Sequence, residues 1–183
     1  MAFKDNILEF RDNEIWDEQS CMEVMMSWEA PIMEKVAEFI CESNGDILEI
    51  GFGLGLCSDY IQAQGVKSHT IVEVHPQIIA KLNTWASNKT NVTIIEGAWD
   101  SASLDTYDGI FLDTYNDLTF AHFKKFALEA INPGGRMTWW NNLEEEYDQF
   151  EFDGISFEEI AVEPKNNSYT NIESTYYMPM VSM

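Results

Sequence analysis

The chain has 183 residues, of which 45% are hydrophobic and 13% aromatic, so it can fill the core of one domain and is not intrinsically disordered. Its 10 Lys and Arg against 32 Asp and Glu give a formal net charge of −22, which repels nucleic-acid phosphates and anionic membranes, so we expect neither as a partner. The sequence has no signal peptide, no apolar run of about 20 residues and no Cys-x-x-Cys spacing among its three cysteines, so we expect a soluble cytoplasmic protein.

Apolar periodicity predicts strands that alternate with helices along the chain. Residues 21–43 have the pattern of one amphipathic helix kinked at Pro31, and Asn44-Gly45 ends it. The strands that follow are expected at 46–50, 69–74, 91–96, 108–113 and 136–140, with helices at 56–64, 76–86 and 118–131 between them. Apolar runs near 155–162 and 172–178 indicate a closing hairpin. This order predicts one α/β domain with a mostly parallel sheet, helices on both faces and a C-terminal antiparallel hairpin.

A glycine-rich turn follows the first of the alternating strands, in the segment Leu48-Glu-Ile-Gly-Phe-Gly-Leu-Gly55. Glycines let the backbone approach a ligand closely, and the next helix offers free N–H groups at its N-terminus. The spacing departs from the dinucleotide fingerprint because the sixth position is Leu56, and no Gly-Lys-Ser/Thr of a phosphate loop is present. The turn therefore indicates a ligand without a pyrophosphate, such as S-adenosylmethionine. A turn used only for tight packing is the alternative.

Two further side chains stand at the ends of the next two predicted strands. Glu73 lies where such folds place a carboxylate on ribose hydroxyls, and Trp99 could cover an adenine ring. Each also has a structural interpretation, Glu73 as a solvated strand end and Trp99 as the edge of the core. Because the carboxyl ends of parallel strands meet at one edge of the sheet, we predict a cofactor site there.

Two carboxylates are candidates for binding a cationic substrate. Asp113 ends the fourth strand in Asp113-Thr-Tyr115, and Glu29 stands between Met25 and Met33 at helical spacing. A buried unpaired carboxylate is costly, so a helix face of this composition favours a bound cation. The alternative is that both methionines belong to the core and that Glu29 lies at the solvent margin. The histidines of the chain form no metal-binding motif, so we expect no metal site.

Together these motifs resemble the guanidinoacetate N-methyltransferase family, including the fungal-type arginine N-methyltransferases related to it. The resemblance rests on residues 24–33 (Val-Met-Met-Ser-Trp-Glu-Ala-Pro-Ile-Met), 48–53, 71–73, 96–99, 107–115 and 132–135, with a tail at 176–180. It implies a single Rossmann-like class I methyltransferase domain over 1–183. Within that domain we expect an N-terminal segment and substrate-side helix (1–43), a cofactor-binding core (44–142) and C-terminal strands (143–183).

The resemblance also implies roles for individual residues. Glu29 and Asp113 would bind the guanidinium of the substrate as catalytic residues, and Asp113 would take its proton. Tyr115 would also contact the substrate, and the backbone around Asn142 and Leu143 would receive its carboxylate. The residues implied in binding S-adenosylmethionine, and its product S-adenosylhomocysteine, are Met25, Met33, Gly51, Phe52, Gly53, Leu54, Gly55, Leu56, Glu73, Val74, His75, Ala98, Trp99 and Asp113.

The expected function is S-adenosylmethionine-dependent N-methylation of a small guanidino compound, of the creatine-forming type with a guanidinoacetate-like substrate. One alternative is methylation of arginine, free or in a protein, which would use the same two carboxylates. Another is a catalytically weak cofactor-binding protein that acts through a partner. The sequence is compatible with a monomer and with a homodimer.

Overall fold

Two sheets organise the part of the chain that the computed structural model describes, which is residues 3–103, 105–165 and 170–183. The first is an antiparallel sheet of the strands β1 (Leu8–Arg11), β2 (Glu14–Asp17) and β3 (Met22–Met26). The second contains seven strands, β4 (Asp46–Ile50), β5 (Ser68–Glu73), β6 (Val92–Glu96), β7 (Tyr107–Leu112), β8 (Ile131–Trp139), β9 (Ser156–Ala161) and β10 (Thr175–Ser182). The helices are α1 (Ala30–Ile40), α2 (Leu56–Ala63), α3 (Pro76–Ala86) and α4 (Phe123–Ala130).

The seven-stranded sheet has the order β6-β5-β4-β7-β8-β10-β9. Its first five members are parallel to one another, and β10 runs antiparallel to both β8 and β9. Ile50 pairs with Val72 on one side and with Leu112 on the other, so the segments that follow β4, β5 and β7 emerge side by side. The predicted fold class is confirmed, and the predicted site residues Gly51, Glu73 and Asp113 lie at the carboxyl edge of the sheet.

Alternating side chains of the central strands enter two separate cores. On one face, Ile47 and Phe111 belong to a cluster that includes α1, α2 and α3. On the other face, Leu48 and Ile110 belong to a cluster with α4 and with Trp139. Helices therefore cover both faces of the sheet, as predicted. No helix among the described residues is long and apolar enough to cross a membrane.

The helix predicted over residues 21–43 is wrong in its first third. Residues 22–26 form β3, a 3₁₀ turn follows at Ser27–Glu29, and α1 begins only at Ala30. Pro31 stands in the first turn of α1, where its missing N–H costs nothing, so it marks the start of a helix rather than a kink within one. Met25 therefore lies on a strand, and the helical spacing of Met25, Glu29 and Met33 does not describe their arrangement. The strands β1 and β2 were not predicted.

The second difference lies between α4 and β8. The helix predicted over 118–131 is shorter, with a 3₁₀ turn at Phe120–His122 before α4, and residues 132–135 lie within β8 instead of ending the helix. These four residues form an insertion opposite Asp108, because Tyr107 pairs with Ile131 while Gly109 pairs with Arg136. The insertion is held in place because the Gly134 N–H donates to the Met183 carbonyl at 3.0 Å.

Asp108 ties this insertion to the amino end of β4. One of its carboxylate oxygens accepts the Asp46 N–H at 2.8 Å, and the other accepts the side-chain amide of Asn132 at 3.0 Å. A Cβ on Gly45 would overlap the same carboxylate. The amino edge of the sheet is therefore fastened on the side opposite to the predicted site.

Candidate active site

A cavity of about 960 Å³ opens at the carboxyl edge of the seven-stranded sheet. Its walls come from the segments that follow β4, β5, β6 and β7, together with β3, α3 and residues 3–4. Of the predicted site residues, those that line it are Met25, Met33, Gly51, Phe52, Gly53, Glu73, Val74, Ala98, Trp99, Asp113 and Tyr115. Those that do not line it are Glu29, Leu54, Gly55, Leu56, His75, Asn142 and Leu143.

The glycine turn is shaped by contacts with the protein itself. Gly51 has φ +95° and lies so close to the Asp113 carbonyl that a Cβ would overlap this oxygen. Gly53 has φ +53°, and a Cβ there would overlap the Met25 sulfur. The same sulfur lies 3.1 Å from the Leu54 nitrogen and accepts its N–H. The need for glycine at these two positions is thus explained by close packing against β3 and the end of β7.

Glu73 fastens the glycine turn to the end of β5. It is 5% exposed, and its carboxylate accepts the backbone N–H groups of Phe52 at 3.0 Å and of Val74 and His75 at 2.8 Å each. Burial raises the pKa of Glu73, although these backbone donors favour the ionised form. Glu73 also lines the cavity, so its contact with ribose hydroxyls stays a prediction.

Trp99 is packed more tightly than an exposed stacking platform would be. Its ring is 4% exposed and lies edge-on to Phe126, with ring centroids 5.1 Å apart. Its Nε1 donates to Asp117 at 2.8 Å, and Asp117 also accepts from Thr114 and Thr119. Burial opposes ionisation of Asp117, but these donors hold its pKa below the ordinary value. Asp117 lines the cavity and was not predicted, although it follows Asp113 by only four residues.

Asp113 is half-buried at the floor of the cavity. Burial raises the pKa of this carboxyl to about 7, with smaller contributions from the negative charges of Glu49 and Glu73. Its backbone N–H donates to the Ile50 carbonyl at 2.9 Å, which fixes the residue beside the glycine turn. A carboxylate whose pKa lies near neutrality can act as a general base at physiological pH.

Glu29 is buried beside the turn that joins β3 to α1, at 2% exposure. Its Oε1 accepts the Met26 N–H at 2.7 Å, so the side chain closes the 3₁₀ turn. Burial raises the pKa of the Tyr176 hydroxyl, and the negative charges of Asp113 and Glu29 add smaller contributions in the same direction. Both predicted carboxylates therefore act electrostatically on one tyrosine of β10, which the sequence indicated only as part of the C-terminal tail.

Asn142 and Leu143 lie after β8 and outside the cavity. The Leu143 N–H donates to the side chain of Asn141 at 3.1 Å, and the Asn142 side chain accepts from the Trp140 indole at 2.6 Å. Three glutamates follow at positions 144–146. A substrate carboxylate at Leu143 would have to displace an existing hydrogen bond and to lie beside these acidic residues.

Residues 3–8, which we call the strap, cross one side of the cavity. The Phe3 ring lies with its centroid 4.9 Å from both His75 and Tyr115. The carbonyl of Asn6 lies 3.1 Å from His75 Nε2, and the backbone of Leu8 exchanges two hydrogen bonds with the Gln77 side chain. The strap thus attaches the N-terminal sheet to the start of α3. A segment of six residues is too short to carry a periodic signal, so the sequence did not reveal it.

We expect Tyr176→Phe to destabilise the fold by about 1–3 kcal/mol, because it leaves the buried Asn141 N–H without the acceptor that it now has at 3.0 Å. Urea unfolding followed by circular dichroism measures the loss. Tyr177→Phe is the matched control, since the neighbouring hydroxyl makes no hydrogen bond among the described residues. Equal losses in the two variants would contradict the role assigned to the Tyr176 hydroxyl.

The described residues contain no group of three His, Cys, Asp or Glu side chains that could hold a metal ion.

Comparison with known families matches residues 2–167 to the model described as guanidinoacetate N-methyltransferase. The solved structures give a fold of the same kind. N-methyltransferase NodS from Bradyrhizobium japonicum superposes with a TM-score of 0.63 at 13% identity, over 85% of this chain and 96% of its own. Its complex with S-adenosyl-l-homocysteine superposes with a TM-score of 0.52 at 16% identity, over 61% of each chain.

Curated relatives include fungal enzymes named protein arginine N-methyltransferase 2. The protein from Aspergillus oryzae is 28% identical over 96% of this chain and 48% of its own length. That from Saccharomyces cerevisiae is 32% identical over 74% of this chain and 37% of its own length. The chain therefore spans about half or less of the length of these relatives.

Proposed function

The chain belongs to the guanidinoacetate N-methyltransferase family, and on that basis we propose that it catalyses S-adenosylmethionine-dependent N-methylation of a small guanidino compound. The observation that supports this most directly is Asp113, a carboxyl with a raised pKa in a cavity that the glycine turn also lines; Glu29, buried outside that cavity, is the second predicted carboxylate. A guanidinium is planar and can donate paired hydrogen bonds to a carboxylate, so two carboxylates can bind and orient it.

The cavity fits the proposed cofactor in both chemistry and location. Its apolar walls include Val24, Ile78 and Ile79, whereas its floor carries the carboxylates of Glu49, Glu73 and Asp113. Apolar walls suit an adenosine, and an acidic floor suits a sulfonium and an ammonium group. S-adenosylmethionine supplies an electrophilic methyl group on a positively charged sulfur. We propose that the glycine turn, Met25, Met33, Glu73, Val74, Ala98 and Trp99 hold it.

The proposed roles of the two carboxylates follow from the acidity of the substrate. A guanidinium is protonated below pH of about 12.5 and is a poor nucleophile while it holds that proton. Glu29 and Asp113 would orient one nitrogen, which contributes to rate by positioning. Asp113 would accept the proton that this nitrogen loses as the new C–N bond forms, and its pKa near 7 leaves it able to take that proton at neutral pH.

Methylation of arginine is the second candidate, favoured by two observations. The curated relatives are named as protein arginine methyltransferases. The Leu143 N–H is also occupied within the chain, next to the acidic residues 144–146, which is unfavourable for a small substrate with its own carboxylate. An arginine inside a peptide brings no such carboxylate.

Transfer of label from S-adenosylmethionine to guanidinoacetate, longer guanidino acids, free arginine and an arginine peptide separates these candidates. Turnover of a guanidino acid supports the first proposal, and turnover of the peptide alone replaces it with the second. Cofactor binding without transfer to any guanidine would favour a catalytically weak binding protein. Mass spectrometry of the product identifies the methylated nitrogen.

We expect Glu29→Gln to raise the KM for the guanidine by about 10–100-fold, because a charge-assisted hydrogen bond of about 1.5–3 kcal/mol is lost. The amide oxygen of glutamine can still accept the Met26 N–H, so the turn should persist. Steady-state kinetics at saturating cofactor measure the change, and calorimetry with S-adenosylhomocysteine checks that cofactor affinity is retained. Glu34→Gln, on the exposed side of α1, is the control. An unchanged KM would remove Glu29 from the substrate site.

A further inference from the structure

The charged side chains that line the cavity are unevenly divided between the two signs. One of them is basic and the others are acidic, namely Lys4, Glu49, Glu73, Glu96, Asp113 and Asp117. Like charges repel, so an aliphatic carboxylate that enters this cavity is disfavoured unless a cation or a free donor lies beside it. S-adenosylmethionine and a guanidino acid both carry such a carboxylate, so the cavity needs a partner for it.

The backbone N–H groups of the glycine turn, which are the obvious donors to an anion, are largely used within the chain. The Phe52 N–H donates to Glu73 at 3.0 Å, and the Leu54 N–H donates to the Met25 sulfur at 3.1 Å. The Gly55 N–H donates to the Phe52 carbonyl at 2.8 Å. A carboxylate that took any of these three donors would break a hydrogen bond that shapes the turn. The backbone donor predicted after β8 is also occupied.

Lys4, in the strap, is placed to be that partner. Its side chain is exposed at the cavity and makes no hydrogen bond or ion pair with any described residue. The backbone on both sides of it is fixed, because the Phe3 ring packs 4.9 Å from the rings of His75 and Tyr115, and the Asn6 carbonyl lies 3.1 Å from His75 Nε2. The strap therefore holds the Lys4 backbone at the cavity while leaving its ammonium group available to a ligand.

We propose that Lys4 is the cation that binds the aliphatic carboxylate of a ligand in this cavity. Two ligands bring such a carboxylate, the methionine end of the cofactor and a guanidino acid that accepts the methyl group. The ammonium group pairs with the carboxylate by a charge-assisted hydrogen bond and so offsets its repulsion by the acidic lining. The identity of these ligands rests on the proposed function, but the pairing itself can be measured without methyl transfer.

Calorimetry with S-adenosylhomocysteine and with its decarboxylated analogue tests the cofactor as the source of the carboxylate. We expect Lys4→Met to weaken S-adenosylhomocysteine about 5–10-fold, a loss between those of an exposed and of a buried charge pair. The affinity of the analogue, which keeps the ammonium group, should not fall. Lys4→Arg keeps the positive charge and should retain most of the affinity. The loss in Lys4→Met should shrink at high salt.

A second pair of ligands tests the guanidino acid as the source. With the protein saturated by S-adenosylhomocysteine, the affinity for guanidinoacetate is compared with that for ethylguanidine, which has no carboxylate. If Lys4 binds the substrate carboxylate, Lys4→Met weakens guanidinoacetate about 5–10-fold and leaves ethylguanidine and S-adenosylhomocysteine unchanged.

Lys125→Met is the matched control, since it makes the same change in net charge at an exposed lysine of α4 outside the cavity. Unchanged affinity of folded Lys4→Met for both carboxylate ligands, or an equal loss in Lys125→Met, overturns the proposal. If Lys4→Met leaves binding unchanged and still methylates a guanidine, the role of Lys4 is wrong and the proposed function stands. A selective loss in a protein that methylates no guanidine supports Lys4 and contradicts the proposed function. A wild-type chain that binds neither carboxylate ligand overturns both.

Discussion

Asp113→Asn is expected to lower kcat for methyl transfer by about 10²–10⁴-fold, the range that a positioned general base contributes. Asparagine keeps the size of the side chain and one of its hydrogen-bond acceptors but cannot accept the proton that the guanidine releases. The substitution leaves the glycine turn and the apolar walls of the cavity unchanged, so we expect S-adenosylhomocysteine still to bind. Single-turnover kinetics with labelled cofactor measure the loss. Retention of more than a tenth of the wild-type rate would exclude Asp113 as the base.

The same substitution should stabilise the protein at alkaline pH. The pKa of Asp113 is about 7 in the folded state against 3.8 ordinarily, so the folded state binds the proton more tightly and wild-type stability falls as pH rises between about 4 and 7. The amide of Asp113→Asn does not ionise, so the stability of this variant does not fall over that pH range on account of residue 113. Since Asp113 faces a cavity that admits water, we expect a gain of only about 1–2 kcal/mol at pH 8, or a few degrees in Tm.

Thermal unfolding of the wild type and of Asp113→Asn at pH 5 and pH 8 tests whether their difference in stability depends on the ionisation of Asp113. The difference in Tm should widen in favour of Asp113→Asn as the pH rises. A difference that is the same at both pH values would mean that Asp113 titrates normally in the folded protein.

Gly51→Ala is expected to disrupt both the fold of the turn and cofactor binding. The residue has φ +95°, and a Cβ would overlap the Asp113 carbonyl, a backbone atom that cannot rotate away. The Gly51 N–H also donates to the Val72 carbonyl at 2.9 Å, so the turn cannot shift without breaking the link to β5. Overpacking of this kind costs about 1–3 kcal/mol, added to the strain of a positive φ. We expect a loss of several kcal/mol and no measurable affinity for S-adenosylhomocysteine.

Gly65→Ala provides a matched control for Gly51→Ala. Gly65 has φ +72°, but a Cβ there meets nothing within 4 Å. Its substitution should cost only about 1 kcal/mol, the conformational strain alone. Urea unfolding and calorimetry on both variants give the comparison. Similar losses in the two would show that the contact with the Asp113 carbonyl contributes little.

The parts of the fold that sequence could predict are those with local signals. α3 runs from Pro76 to Ala86 as predicted, because a proline at its start and apolar spacing agree. β4 likewise has its predicted bounds, since a short segment with Ile47, Leu48 and Ile50 directly before a glycine turn is typical of a buried parallel strand. The N-terminal sheet gave no such signal. Its strands have four or five residues, and residues 22–26 could be recognised as β3 only from their pairing with β2.

The candidate site was predictable to the extent that it follows from strand order. Gly51, Glu73 and Asp113 meet because parallel strands end at one edge, and the alternating pattern is enough to infer this. The position of Glu29 follows instead from the 3₁₀ turn before α1. The sequence did not predict this turn, because residues 25, 29 and 33 have the spacing of a helix. Tyr176 comes from β10, more than 60 residues after Asp113, and only the folded chain brings its hydroxyl within 3.0 Å of the Asn141 nitrogen that follows β8.

The fastening of the amino edge by Asp108 has a consequence for protein engineering. Asp108 joins Asp46 and Asn132 at one end of the sheet, whereas the cavity lies at the other end, about the length of a strand away. Substitutions at sites that far apart with no shared partners usually have additive effects on stability. Losses incurred while the cavity is altered for a new acceptor can therefore be offset at the amino edge, by changes chosen independently. The two ends of one sheet can be optimised in separate libraries.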